Sequence, residues 1–204
     1  WLRQDTEAAR AALNDLAPTP EARLAKAPTE REKDYLRAVH ILYGNGTKQA
    51  RDDAYAAFMG TLAERYPDDL DAQAFHALAI LGTSHDGRDF RTYMRAAAIV
   101  EEVFDTNPQH PGAAHYLIHS YDDPVHAPLG LRPARVYADI APAAAHALHM
   151  PSHIFTALGM WDRSVEMNQR SWQASVDRME AKGLSLAARS YHALWWLAYG
   201  QLQQ

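Results

Sequence analysis

Five histidines divide the chain at nearly equal steps. His40, His76, His115, His153 and His192 are separated by 36, 39, 38 and 39 residues. Three of them, His40, His76 and His153, stand six residues before a glycine (Gly46, Gly82 and Gly159). His115 has Tyr121 at that offset, and His192 has Gly200 at eight. A period of this length belongs to stacked supersecondary units, because heptads and strand alternation repeat over far shorter distances. One such unit cannot bury its apolar face alone, so a chain with this period is confined to folds in which neighbours stack.

The units are helical. Alanine is abundant while valine and isoleucine are scarce, a balance that favours helix because alanine loses no side-chain entropy there. Helical periodicity runs in blocks over about 2–16, 29–43, 48–66, 70–81, 88–104, 111–121, 132–140, 149–158, 161–179 and 184–202, separated by Pro, Gly and Asp. Ala17-Pro18-Thr19-Pro20 closes the first block, and Thr29 with Glu32 three residues on forms a capping box for the second. No block alternates as a strand does. With 48% hydrophobic residues the chain can build a core. The expected fold is therefore all-α, a right-handed superhelical solenoid of antiparallel helix pairs, with residues 1–204 forming a single helical-repeat domain.

The clearest unit is Ser152-His153-Ile154-Phe155-Thr156-Ala157-Leu158-Gly159-Met160-Trp161-Asp162-Arg163-Ser164. A helix ends in Leu-Gly, a short step follows, and an aromatic opens the next helix. This resembles the tetratricopeptide signature, and Tyr66-Pro67 and Asn107-Pro108 look like the proline that ends a second helix in that family. The resemblance extends from about Thr29 to the end, with a period longer than the family's 34 residues. The stretches His110-Pro111-Gly112-Ala113-Ala114-His115 and His149-Met150-Pro151-Ser152-His153-Ile154 are similar to those of a group of bacterial tetratricopeptide-like proteins. That group has no established activity, so the resemblance implies a fold and leaves function open. In such an array the block at 2–16 is the second helix of a missing pair, and 184–202 is a first helix without its partner. Leu194, Trp195, Trp196 and Tyr199 on that last helix want a neighbour, and the chain reads as a segment of a longer array.

Composition narrows the function. The absence of cysteine removes disulfides, thiolate metal sites and cysteine nucleophiles together. A net charge of −5, with no basic stripe, argues against nucleic acid as a partner. No apolar run approaches the roughly 20 residues of a membrane-spanning helix. Nothing in the sequence fixes the compartment. Gly44-Asn45-Gly46 follows a helix and lacks the lysine-serine element of a phosphate loop. His115-Tyr116-Leu117-Ile118-His119 has the outer spacing of a zinc-protease motif, but Tyr116 stands where the general base belongs.

What remains is histidine chemistry. His115 and His119 are i,i+4 and share one helix face, which Asp122 extends. His146, His149 and His153 fall at i, i+3 and i+7, again on one face, and Pro151 is tolerated in a first helical turn. If first helices pack side by side, both pairs converge. The predicted metal site is thus His115, His119, His149 and His153, with Asp122 and His146 as further ligands and a divalent first-row ion, Zn or Cu, as the cofactor. His126, in the stiff run Asp122-Asp123-Pro124, is a further ligand or a supporting group. Proton competition would weaken binding below the imidazole value of about 6.5. The plainer account is that these histidines satisfy one another by hydrogen bonds, and for His40, His76 and His192 a repeated structural role is the better reading. Three functions stay open. The chain is a groove that binds a peptide, protein or small ligand, a metal-dependent hydrolase or oxidase, or a purely structural segment.

Overall fold

The computed structural model of the chain describes residues 5–204. Twelve α-helices occur among the described residues, with no strand. They are α1 (Thr6–Leu16), α2 (Pro20–Lys26), α3 (Glu30–Leu42), α4 (Lys48–Arg65), α5 (Leu70–Gly82), α6 (Phe90–Thr106), α7 (Pro111–Tyr121), α8 (Leu131–Ile140), α9 (Ala145–His149), α10 (Pro151–Ala157), α11 (Trp161–Ala181) and α12 (Tyr191–Leu202). The expected start of the first helix at Leu2 lies outside the described residues. None of the described helices is long and apolar enough to cross a membrane. The chain divides into two compact units, one running to Ile99 and the other from Val100 to Gln204, so the boundary falls inside α6.

In the first unit, α4 packs against α3 and α5. Ala38, Ala56, Met59, Leu62, Ala72 and Ala79 make the core, and Tyr35, Tyr55, Phe58 and Tyr66 close over it. Alanines at the crossings bring the helices together, and the aromatics fill the margins. The capping box at α3 forms as the sequence predicts. The Glu32 amide donates to the Thr29 hydroxyl at 3.2 Å, and the Thr29 amide donates to the Glu32 carboxylate at 3.0 Å. Asp34 is buried beneath Arg37, Arg65 and Tyr66, which donate to it at 2.5, 2.8 and 2.9 Å. Burial opposes its charge, but the donors from Arg37 and Tyr66 and the Arg65 charge outweigh that, and its pKa is lowered.

In the second unit, α11 is the longest helix and carries α9, α10 and α12 along its length, while α8 packs on α7 and α10. The buried face of α11 sets small polar residues alongside Met167 and Met179. Ser164, Asn168, Ser171 and Ser175 are all buried. The Ser171 hydroxyl donates to the Ala145 carbonyl at 2.6 Å, and the Ser164 hydroxyl meets that of Thr156 at 2.7 Å. Small side chains let α12 come so close that a β-carbon on Gly200 would lie 3.0 Å from Val165.

Three details differ from the helix boundaries read off the sequence. Residues 20–26 form α2, because Thr19 caps the Ala22 amide and Pro20 occupies the first helical position, where no N–H is needed. The block at 149–158 begins earlier and is interrupted at Met150-Pro151, giving α9 and α10. The last helix starts at Tyr191, since Gly183 ends α11 with φ +58° and only a 3-10 turn, Leu186–Ala188, intervenes. The histidine period holds at the level of elements, with His40, His76, His115, His153 and His192 on α3, α5, α7, α10 and α12.

Candidate metal centre

Four helices of the second unit supply six histidines to one region. On α7, Ala113, Ala114, Leu117 and Ile118 are buried and fix the roll of the helix. That roll leaves His115 and His119 together on another face, their rings 4.7 Å apart. His110 is spent as the N-cap of the same helix, its Nδ1 accepting from the Ala113 amide at 3.1 Å. On α9, Ala147 and Leu148 point to the core, and His146 and His149 stand one turn apart, with ring centroids at 6.5 Å. Pro151 starts α10 without breaking the helical path through Met150 (φ −54°, ψ −39°). His153 therefore lies one turn beyond His149. α12 brings in His192.

These six sort into two triads. His115, His119 and His146 form one, and His149, His153 and His192 form the other, and within each the ligand nitrogens lie within 4.8 Å of one another. His115 Nε2 is 3.1 Å from His146 Nε2, and His149 Nε2 is 3.0 Å from His153 Nε2. Two nitrogens bound to one tetrahedral ion at about 2.0–2.1 Å are separated by about 3.3 Å. The observed separations are close to that.

The two pairs read from the sequence thus fall into different triads. Asp122 belongs to neither triad. Its carboxylate accepts from His153 Nδ1 at 2.8 Å. On the other ring, the Asn168 side-chain oxygen accepts from His149 Nδ1 at 2.6 Å, while the Asn168 amide nitrogen donates to the Ser164 carbonyl at 2.8 Å. The Ser164 carbonyl can only accept, so it fixes which end of the amide faces His149. The Nδ1 positions of His149 and His153 are therefore donors, and the Nε2 lone pairs of these two rings are turned toward each other. An acceptor that orients a ligating histidine from behind is the usual support of a metal-bound imidazole.

His126 lies outside both triads and pairs with Asp123 at 2.9 Å. Asp123 also accepts from the backbone amides of Val125 and His126 at 2.9 and 3.0 Å, which holds this turn. His40 and His76 are in the first unit, and neither joins a histidine cluster among the described residues.

The sequence alone did not single out two groups that matter. His192 sits at the repeat position, and that regularity hid its pairing with His149, whose ring centroid is 4.6 Å away. Asn168 lies in a run of small polar residues on a helix that carries no histidine, and only its i,i+4 relation to Ser164 distinguishes it.

Electrostatics favour the neutral form at five of the six rings. Burial holds His115 at about 3, and the neighbouring His119, His146 and His153 reinforce it. Burial holds His119 at about 4, with His153 and His146 adding to the effect and Asp122 opposing it. His149 lies at about 3, lowered by burial although its bond to Asn168 works the other way. Desolvation by the neighbouring rings and helices lowers His146 and His192, and His153 adds to both. Neutral imidazole is the form that binds a metal ion. Aromatic walls close the region. Tyr137 stacks on His115 at 5.3 Å, and Trp196 lies 4.6 Å from His153 and 5.3 Å from His149.

Helical hairpins, small residues at the crossings and a regular period define a tetratricopeptide-like helical fold. Comparison with solved structures supports that class. One similar structure, titled "MamA RS-1 ArsTM double mutant", matches with a TM-score of 0.56 at 14% sequence identity, over 86% of this chain and 96% of that one. At that identity the likeness is one of fold. No protein-family model matches the chain. No curated protein matches it.

Proposed function

We propose that this protein is a tetratricopeptide-like binding scaffold whose second unit holds first-row transition-metal ions, one in each histidine triad. The observation that carries the reading is the His149–His153 pair. Two imidazoles with both Nδ1–H groups committed to Asn168 and Asp122 direct their Nε2 lone pairs at each other across 3.0 Å. Two lone pairs at that distance repel unless a cation or a proton lies between them. Burial works against a proton on His149. Three imidazoles and no carboxylate or thiolate suit Zn or Cu and offer nothing to Mg or Ca. Three protein ligands also leave one coordination position for water or another exchangeable ligand, the requirement for hydrolysis or oxygen chemistry.

The scaffold part of the reading draws on the fold class and on α12. Beside Trp196 this helix exposes Trp195, 68% accessible, with Tyr191, Leu194 and Tyr199. A peptide, protein or small ligand resting on this aromatic face would lie next to the second triad.

The test is metal content and calorimetric titration with Zn, Cu and Ni, on protein purified without a metal-affinity tag. Wild type takes up two ions, and His119→Ala and His153→Ala each lose one, with helix content nearly unchanged. An ion present at a hundred times its Kd stabilises the fold by about 2.7 kcal/mol, so Tm rises on loading. Absence of uptake together with an unchanged Tm for all three metals would end the proposal and leave a hydrogen-bonded histidine cluster.

A further inference from the structure

We infer that the two triads act as one dinuclear copper centre that binds dioxygen between its ions, an inference that rests on the metal-binding reading above. Three observations carry it. The triads are joined, since His146 of the first and His149 of the second are one turn apart on the same short helix with ring centroids at 6.5 Å. In the proposed centre a diatomic ligand bridges the ions of these adjoining triads.

Charge is the second observation. Each triad consists of imidazole donors alone, with no carboxylate among its three ligands, and Asp122 lies behind one of them, on His153 Nδ1. Two divalent ions would bring four positive charges into a half-buried region whose ligands carry no negative charge, at a large desolvation cost. Two cuprous ions bring half that charge. Among the first-row metals that imidazole suits, copper is the one that reaches the monovalent state.

Access is the third. His146 and His192 are exposed, one in each triad, while His149 is buried. The centre is therefore reached from solvent past both outer ligands and closed behind by the core. In the binding step each cuprous ion gives up one electron and dioxygen takes both, becoming a two-electron-reduced O2 dianion that bridges two cupric ions. No proton or further reductant enters this step, and loss of dioxygen reverses it.

The experiment loads the metal-free protein with cuprous ion under anaerobic conditions, counts bound copper, and then admits oxygen. The expected result is two coppers per chain, a near-ultraviolet charge-transfer band that appears with oxygen and fades under vacuum, and no paramagnetic resonance signal from the coupled cupric pair. His192→Ala and His119→Ala, each keeping one intact triad, should bind one copper, show no reversible band, and give an ordinary cupric signal on oxidation. Circular dichroism and Tm confirm that each variant is folded. Two bound coppers that oxidise to two independent cupric spins would overturn the paired centre while leaving metal binding intact. Failure to bind copper at all would overturn both.

Discussion

His149 owes the direction of its Nε2 lone pair to one amide, that of Asn168, which is itself held by the Ser164 carbonyl. Replacing Asn168 with Ala removes the acceptor behind a buried ring. The expected outcome is a metal affinity lower by about 10–100-fold and a stability loss of about 1–3 kcal/mol. Metal titration and chemical denaturation measure the two separately, and an unchanged affinity would show that Asn168 only packs. Titration of the rings gives a second expectation. His115, His119 and His149 sit below the 6.5 of an ordinary imidazole, at about 3, 4 and 3. Between those values and 6.5 the unfolded chain binds more protons than the folded one, so stability rises with pH across the window. The metal-free protein should thus keep its full stability above about pH 6.5 and lose it progressively toward pH 4. A Tm that is equal at pH 7.5 and pH 4.5 would contradict the burial of these rings. Proton competition for metal is displaced in the same direction, to lower pH than the sequence suggests.

At the scale of elements, α10 is the sensitive part, because it carries His153 between two tight points. At its C-terminus Gly159 has φ +68°, and the Met160 amide donates to the Phe155 carbonyl at 2.8 Å while the Gly159 amide donates to Thr156 at 3.1 Å. This is the Schellman arrangement, which needs a left-handed residue. No atom lies within 4 Å of a β-carbon built there, so Gly159→Ala adds backbone strain alone, about 1–2 kcal/mol. Gly130 fails differently. A β-carbon there would meet Ile154 at 2.6 Å and Tyr121 at 3.3 Å. Gly130→Ala must push Ile154, and with it the adjacent His153, at about 1–3 kcal/mol. Both variants should therefore lose similar stability in denaturation, but only Gly130→Ala should weaken metal binding. Equal affinities in the two would show that α10 is not the lever that sets His153.

For the whole molecule, the division at Ile99 matters, because all six clustered histidines belong to the second unit. Metal loading should slow hydrogen exchange in α7, α9, α10 and α12 and leave α3, α4 and α5 unchanged. Protection spreading through α3–α5 would instead mean that the two units respond as one. The period that announced the repeats does not distinguish these halves. His40 and His76 occupy the same register as His115 and His153, yet His40 feels the charges of Arg23 and Glu21, and His76 lies against Gly60 and feels the charges of Arg95 and Glu64. Repetition of a position carried packing, and the neighbours decided the chemistry.

Helix, hairpin and repeat were determined by the sequence, because they rest on local rules: alanine-rich periodicity, a Thr-Glu capping box, Pro at first turns and Gly at helix ends act within a few residues. The i,i+4 pairs His115–His119 and His149–His153 were legible for the same reason, since α7 places the first pair and the helical backbone of Met150 carries the turn from α9 into α10 for the second. Tertiary structure decided how the pairs combine. The rotation and approach of α7, α9 and α12 are set by buried alanines and by the small-residue face of α11, through contacts between residues far apart in the chain. Those contacts separate the four expected ligands into two triads, turn Asp122 to support His153, and draw His192 and Asn168 in from helices that local spacing could not connect to the site.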